Sequence, residues 1–461
     1  MRALAASEGI GIPAVGVISS GFETMARALA EVFGVADPRL AIYPGAVQTD
    51  TQDIFERKVC ESLLDQIERG LTSHTVSATL EAEDEPPDDP REIVFTGDYD
   101  QVQDHFVEQG WSDGLPVAPP TIGRVQEFLG NTEVAPATVL GVLEPEGREL
   151  TVWSIAVNGV MAGCRPEYMP LLVAIGECLV DERFRLEDLV STHGFEPLVV
   201  VSGPVVRQFD FNDVSGAMRV GRRANSSIGR FVRLLLRNIA GLRIPPGVVD
   251  PGAIGASFMV AMAENDAVTR DLGWAPFRVD NGFSDEDSTV SLLVISNHSP
   301  IIFTSGETAE DHLRTFARIL GNAIGPWAYT ATVHQGFNPL ILMSPSVARA
   351  LQGFGYGKKE IRDWLARNMW IEAGVTEGYA RQVGRTAFSF DSVVTDPEQR
   401  KTYVASDDPT RLVPMIMNPD WISIVIGGNP SRNQSRGYIG NLTAGPPVTK
   451  VIALPRRILA P

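Results

Sequence analysis

The sequence predicts a mixed α/β protein: a small N-terminal α/β domain lacking its first strand, followed by a larger mixed α/β domain. Three observations predict it. Short β-rich apolar runs alternate with amphipathic stretches at helical spacing along the chain. At 461 residues the chain is too long for one ordinary core, so two or three domains are expected. The acidic, proline-bearing run Glu81-Ala82-Glu83-Asp84-Glu85-Pro86-Pro87-Asp88-Asp89-Pro90 cannot bury a face and reads as a solvated linker. The predicted layout is an α/β domain over residues 1–75, a linker over 76–98 and a catalytic-type domain over 99–461.

Residues 12–18 read as a β-rich strand and 22–33 as a helix with Ala, Leu and Met at helical spacing. A short strand over 40–43 precedes Pro44-Gly45, and 53–71 form an amphipathic helix. Beyond the linker, 99–109 read as helix, 111–121 as a turn-rich segment, and 122–129 as a second helix. Pro166 fits a first helical turn and Glu167 suits its positive end, with 171–179 continuing as an apolar helix. Residues 198–202 and 290–296 are strand-like, 228–239 a helix bearing Arg230, Arg233 and Arg237. Residues 311–321 and 358–368 are further helices, and 421–426 a late strand before Gly427-Gly428-Asn429-Pro430. These elements alternate without a clear repeat period.

Hydrophobic content of 44%, charged content of 21% and 43 glycines fit a globular, enzyme-sized protein rather than a disordered or fibrous one. A net charge of -18 argues against nucleic acid or an anionic membrane as partner. Cys60, Cys164 and Cys178 are too few and scattered for a disulfide scaffold or a structural zinc site, so a reducing cytoplasm is expected. Residues 1–10 lack the apolar segment of a signal peptide, and no run is long enough to cross a bilayer.

Cys164 lies in Ala162-Gly163-Cys164-Arg165-Pro166-Glu167, where unpaired N–H groups at a helix start and Arg165 would stabilise a thiolate. It equally reads as a small buried residue under an apolar helix. Arg222-Arg223-Ala224-Asn225-Ser226-Ser227 puts guanidinium groups, an amide and hydroxyls at a helix entry, which suits a carboxylate or phosphate, or else a capped surface helix. His193 and His334 sit beside glycines just before strands and are candidates for acid–base work or for structural roles. Glu264-Asn265-Asp266 and Asp280-Asn281-Gly282 add carboxylates at turns. The spacing matches no standard zinc signature, so a metal is unsupported and no cofactor is identified. Gly427-Gly428-Asn429 reads as a glycine turn or an anion nest. No dinucleotide, Walker A or Gly-x-Ser-x-Gly motif stands in a supporting context.

Trp111-Ser112-Asp113-Gly114-Leu115-Pro116-Val117, the run from Asn158 to Pro170, Ser191 to His193, Arg223-Ala224-Asn225 and Ala263-Glu264-Asn265 together resemble the bacterial UGSC-family (seleno)proteins and their relatives. Gly11-Ile12-Pro13-Ala14-Val15 through Tyr43-Pro44-Gly45 is similar to the N-terminal UGSC domain, and more distantly to the selenoprotein subunit of glycine and betaine reductases. The resemblance implies a Cys/Sec-Gly-Ser-Cys redox motif upstream of the Gly-Ile-Pro strand, and Met1 begins too late to include it. Either the motif was lost, or a separate Cys-Gly-Ser-Cys chain supplies it in a hetero-oligomer, docking against residues 12–18.

The leading expectation is an enzyme acting on a small anionic, carboxylate-bearing substrate by cysteine-dependent or carbon–heteroatom (C–S or C–N) bond chemistry. Cys164 would be the nucleophile or thiol carrier, and His193 or Glu264 would move the proton. Arg223 and Asn225 would hold the anion, with Asp113, His334 and Arg165 as further contacts. One alternative is a lyase or hydratase using histidine and carboxylate acid–base chemistry, with or without a metal. The other is a non-catalytic subunit of a redox complex.

Overall fold

The computed structural model describes residues 2–455 except 33, 46, 48, 49, 51, 74–88, 191–194, 244–256, 331–336 and 442–445. The chain divides into two compact units, Met1–Asp89 with Ala373–Thr410, and Pro90–Glu372 with Arg411–Pro461. It is a mixed α/β protein, as its alternating patterns predict.

In the first unit, helices α1 (Arg2–Gly9), α2 (Glu23–Val32), α3 (Gln52–Lys58) and α4 (Leu64–Thr72) accompany two parallel strands, β1 (Gly16–Ser19) and β2 (Leu40–Tyr43). β1 starts later than the apolar run because Pro13 has no N–H to give a ladder and the Ala14 N–H is taken by the Glu8 carboxylate at 3.0 Å. Ala41, Tyr43 and Leu63 are buried with Phe55, Val59 and Ile67 packed on them. On β2 the Gln66 side chain takes the place of a further strand: its Oε1 accepts from Ile42 N at 2.9 Å and its Nε2 donates to Ile42 O at 3.2 Å. Residues 373–410 contribute helices Ala373–Gln382, Phe390–Val393 and Pro397–Tyr403. Most of the acidic stretch lies outside the described residues, and residues 89–98 are exposed.

The second unit begins with α5 (Tyr99–Glu108), α6 (Ile122–Leu129), the antiparallel pair β3 (Val139–Leu143) and β4 (Arg148–Thr151), α7 (Val152–Met161) and α8 (Met169–Leu179). Then come β5 (Glu196–Ser202), α9 (Val205–Gln208), α10 (Arg223–Leu235), β6 (Met262–Ala263), α11 (Asp266–Asp271), α12 (Phe277–Asp280), β7 (Thr289–Ile295), β8 (Asn297–His298) and β9 (Ile302–Phe303). The chain continues through α13 (Ala309–Ile324), β10 (Phe337–Met343), α14 (Pro345–Gly353), α15 (Lys358–Asn368), β11 (Trp370–Glu372), β12 (Leu412–Pro414), β13 (Ser423–Ile426), β14 (Gln434–Asn441) and β15 (Val448–Val451).

Two sheets organise this unit, one in the order β15-β7-β5-β6 and the other β13-β10-β14-β8, with β9 also on β14. Alternation along each strand decides the layers. Leu198 and Val200 of β5 share a core with Leu340 and Leu342 of β10, Val425 and Tyr438, so these faces pack sheet on sheet. Val199 and Val201 point the other way into a core with α7, α8 and α10. Ile341 and Met343 join Leu313, Phe316, Leu320, Val347 and Leu365 of α13, α14 and α15. The result is four layers: helices, sheet, sheet, helices.

The layers are an internal repeat that the order of elements in the sequence conceals. β5 lies between parallel β6 and antiparallel β7, just as β10 lies between parallel β13 and antiparallel β14. Phe195, Pro197, Leu198, Ser202, Val205 and Arg207 recur as Phe337, Pro339, Leu340, Ser344, Val347 and Arg349. Glu264 N donates to Val201 O at 2.9 Å, and Gly427 N donates to Met343 O at 3.0 Å in the matching place. The last strands are exchanged: β8 follows β7 but pairs with β14, whereas β15 follows β14 but pairs with β7. The six matched residues keep one offset, but the segments between β5 and β6 and between β10 and β13 differ in length, so the correspondence is blurred beyond them.

One close approach fixes α10 against the segment entering β6. A Cβ on Gly229 would lie 2.4 Å from Met259 C and 2.5 Å from Val260 N, both backbone atoms. Gly229→Ala must therefore push the helix outward and is expected to cost about 1–3 kcal/mol. The midpoint of urea unfolding measures this, and an unchanged midpoint would contradict the packing.

Candidate active site at the strand carboxyl ends

The carboxyl ends of β5, β6, β10 and β13 converge. Asn265 N, just after β6, donates to Ile426 O at the end of β13 at 2.7 Å, and Gly428 N donates to Asp213 O at 2.9 Å. The approach at Gly427 is close: a Cβ would stand 3.1 Å from the Leu342 side chain and 3.3 Å from the carbonyl oxygens of Ala263 and Asp213, so a larger residue needs its neighbours to give by a few tenths of an ångström. Ligands of open α/β sheets collect outside the carboxyl ends of strands, where the chain must turn away and side chains are free to converge.

A buried ionic network lies under this point. The Ser202 hydroxyl donates to Glu264 Oε2 at 2.5 Å, and Phe277 N at the start of α12 donates to both Glu264 oxygens at 2.9 Å. Burial pushes the Glu264 carboxyl up, against the opposing pull of Lys358 and these hydrogen bonds. Arg278, 0% exposed, donates to Ser202 Oγ at 3.1 Å, to Asp266 Oδ1 at 2.7 Å and to Asp285 O at 2.6 Å. Burial raises the Asp266 carboxyl, but hydrogen bonds from Arg278 and Arg270 outweigh it and hold it below the usual range. Arg270 also bonds Asp285. Glu264 is thus held by a serine, a helix start and a chain of fixed charges.

Asn225 is fully buried and works on backbone. Its Oδ1 accepts from Asn212 N at 2.8 Å, and its Nδ2 donates to Asn212 O at 3.1 Å and Ala261 O at 2.9 Å. It locks the 212–213 loop against the strand carrying Glu264. Asp213, which the sequence reading passed over, sits on that loop half-buried, and burial raises its carboxyl against the pull of Arg207. A signal existed: Asn212-Asp213 opens the turn-rich segment that follows a strand, where such carboxylates are expected.

Cys164, Arg223 and Asp113 gather along α10. Cys164 Sγ approaches Ser227 O at 3.4 Å, while Arg223 donates to Gly163 O at 3.0 Å and Cys164 O at 3.4 Å. Cys164 is buried, and burial pushes its thiol up to about 12 despite Arg223 and Arg230 nearby. Its N–H is bonded to Gly159 O at the end of α7, two residues before the short turn Pro166–Tyr168 that leads into α8. Arg165 caps that turn with an exposed side chain. Asp113 forms a two-point pair with Arg230 at 2.7 and 2.8 Å; burial raises its carboxyl, but the arginine prevails and lowers it. Arg233 and Arg237, further along α10, are tied to Glu196 at 3.0 Å and Gly110 O at 2.6 Å. His193 and His334 lie outside the described residues. Among the described residues no cluster of three histidine, cysteine, aspartate or glutamate side chains could hold a metal, and no helix is long and apolar enough to cross a membrane.

Cysteine accessibility tests this geometry. With iodoacetamide at pH 8, Cys60, which is exposed, is expected to react within minutes, whereas Cys164 and Cys178 react only after unfolding. Mass spectrometry of the labelled peptides measures it, and rapid labelling of Cys164 in the folded protein would contradict its burial.

No curated protein and no solved structure matches the chain. The motifs from Trp111 onward fall outside the family match, which covers α1 to α4 and the parallel strand pair but not the helices of residues 373–410. Residues 2–73 match the model of the UGSC family, so this chain carries a small N-terminal UGSC-like domain.

Proposed function

We propose that the second unit is an enzyme that moves a proton on a small carboxylate-bearing substrate at the strand carboxyl ends, a lyase- or hydratase-type reaction. One observation carries this reading. Asp213 is a half-buried carboxyl raised by its surroundings on a loop pinned by Asn225, whereas the Cys164 thiol is buried and raised to about 12. A carboxyl raised toward working pH is suited to accept and return a proton. A thiol raised so far is a poor nucleophile at neutral pH, because the thiolate is the reactive form.

In this reading Asp213 is the proton carrier, and Arg207, whose charge acts on it, draws in the substrate carboxylate. Asn225 positions the loop, and Glu264 fixes the start of α12 from beneath. Arg223, exposed at the start of α10, is a further anion contact, and Cys164 shapes the wall behind it. The cysteine-dependent reading, with carbon–heteroatom bond chemistry, is the competing outcome of the test.

A second reading concerns the first unit. Among the described residues β1 has β2 on one side only, and Val17 at its centre is 55% exposed, while Gln66 occupies Ile42 on the neighbouring strand. That arrangement favours β1 as the edge on which a separate Cys-Gly-Ser-Cys chain would add a strand.

Proton movement can be read without knowing the full reaction. Malate, aspartate, succinate and pyruvate incubated with the enzyme in deuterium oxide are expected to show exchange of a hydrogen beside the carboxylate in at least one case, followed by NMR. Asp213→Asn should slow that exchange about 100-fold or more, and Cys164→Ser should leave it within a few-fold. Loss with Cys164→Ser and retention with Asp213→Asn would overturn the assignment, as would no exchange with any compound.

A further inference from the structure

The two halves of the second unit differ in what covers their matching helices. α8 is buried along its whole length apart from Glu177. It is covered by α7, where a Cβ on Gly159 would lie 2.6 Å from Leu172. α13 holds the same place before β10, yet it buries only one face, with His312, Leu313, Phe316, Leu320 and Ile324 inward. Its other face carries Arg314, Arg318 and Asn322, all exposed. These line an open cleft of about 800 Å³ together with Trp364 and Asn368 of α15, the segment Met369–Ile371 and Met415. That volume lies within the range of small-molecule sites.

The lining has two kinds of surface. Arg314 and Arg318 stand one helical turn apart, an arrangement of like charges that disfavours the helix unless an anion intervenes. Arg314 has only a distant partner, Asp311 at 3.9 Å. Arg318 makes no hydrogen bond or ion pair among the described residues, in a protein with a net charge of -18. The one carboxylate of the cleft, Glu310, already accepts from Tyr356 Oη at 3.1 Å. Trp364, Trp370, Met369, Met415 and Pro326 line the same cleft. Trp370 Nε1 is committed to Arg367 O at 2.6 Å, which leaves the ring to act as an apolar surface. Guanidinium groups and indole rings lining one cleft suit a flat molecule that carries a carboxylate, through paired N–H bonds to its oxygens and stacking on its ring.

We propose that this cleft is a second binding site, separate from the strand-end site, for a small aromatic carboxylate. It takes the place of the covering helix that the other half possesses.

Binding of 2-naphthoate, followed by quenching of tryptophan fluorescence and by calorimetry, tests this, with neutral 2-naphthamide as the isosteric control. The acid is expected to bind at least tenfold more tightly than the amide. Arg318→Ala, and Arg314→Ala with Arg318→Ala, should weaken the acid tenfold or more without changing the amide, since both side chains are exposed and their removal spares the core. Trp364→Leu should weaken both probes. Equal binding of acid and amide, or undiminished binding of the acid to the double variant, would overturn the proposal.

Discussion

Packing two sheets face to face is the constraint from which the rest of the second unit follows. β5, β7 and β10 are buried at every position, with one face on the opposing sheet and the other on helices. Strands in that situation need apolar side chains on both faces, which is why they read as continuous runs rather than alternating ones. Water has no access to their centres, so polar groups collect at their ends. Charges that enter those ends must be paired or become neutral. Ser202, Glu264, Arg278 and Asp266 meet that condition together: the guanidinium is divided between a hydroxyl, a carboxylate and a carbonyl, and Glu264 is drawn toward its neutral form.

The repeat places one scaffold twice and lets the two copies diverge. Where the first copy has Glu264, the second has Gly427, which sits in close approach to Leu342, Ala263 and Asp213. Ser344, the counterpart of Ser202, has no acid to serve and pairs with Ser346 at 3.2 Å. The buried network of Ser202, Glu264 and Arg278 is thereby confined to one half among the described residues. The other half keeps a bare helix face. The exchange of β8 and β15 between sheets ties the copies together, since neither sheet is complete without a strand from the other half of the sequence.

Cys164 shows how a local signal changes meaning in three dimensions. A thiolate is stabilised at a helix start only if solvent or a bound anion keeps its charge affordable there. Here Arg223 lies beside it, but α10 closes over the sulfur, and the cost of burying charge exceeds what the arginines return. The neighbouring motif Arg223-Ala224-Asn225 is important to the site in a different way. Asn225 spends both amide hydrogens on backbone, and so fixes the loop on which Asp213 stands.

Much of the local structure was legible because it depends on nearby residues. The strand Leu40–Tyr43 and the helices Ile122–Leu129 and Lys358–Asn368 have the bounds their patterns predict, since periodic burial and turn residues act within a few positions. The mixed α/β class and the small N-terminal domain followed from the same information. What only the tertiary structure decided was which of two chemically sensible fates each polar residue met. Pairing partners such as Arg230 with Asp113, or Ser202 with Glu264, are separated by dozens of residues, and burial is a property of the assembled layers. The burial of Cys164 and the convergence on Asp213 depend on contacts between distant segments, and no spacing along the chain encodes their distances.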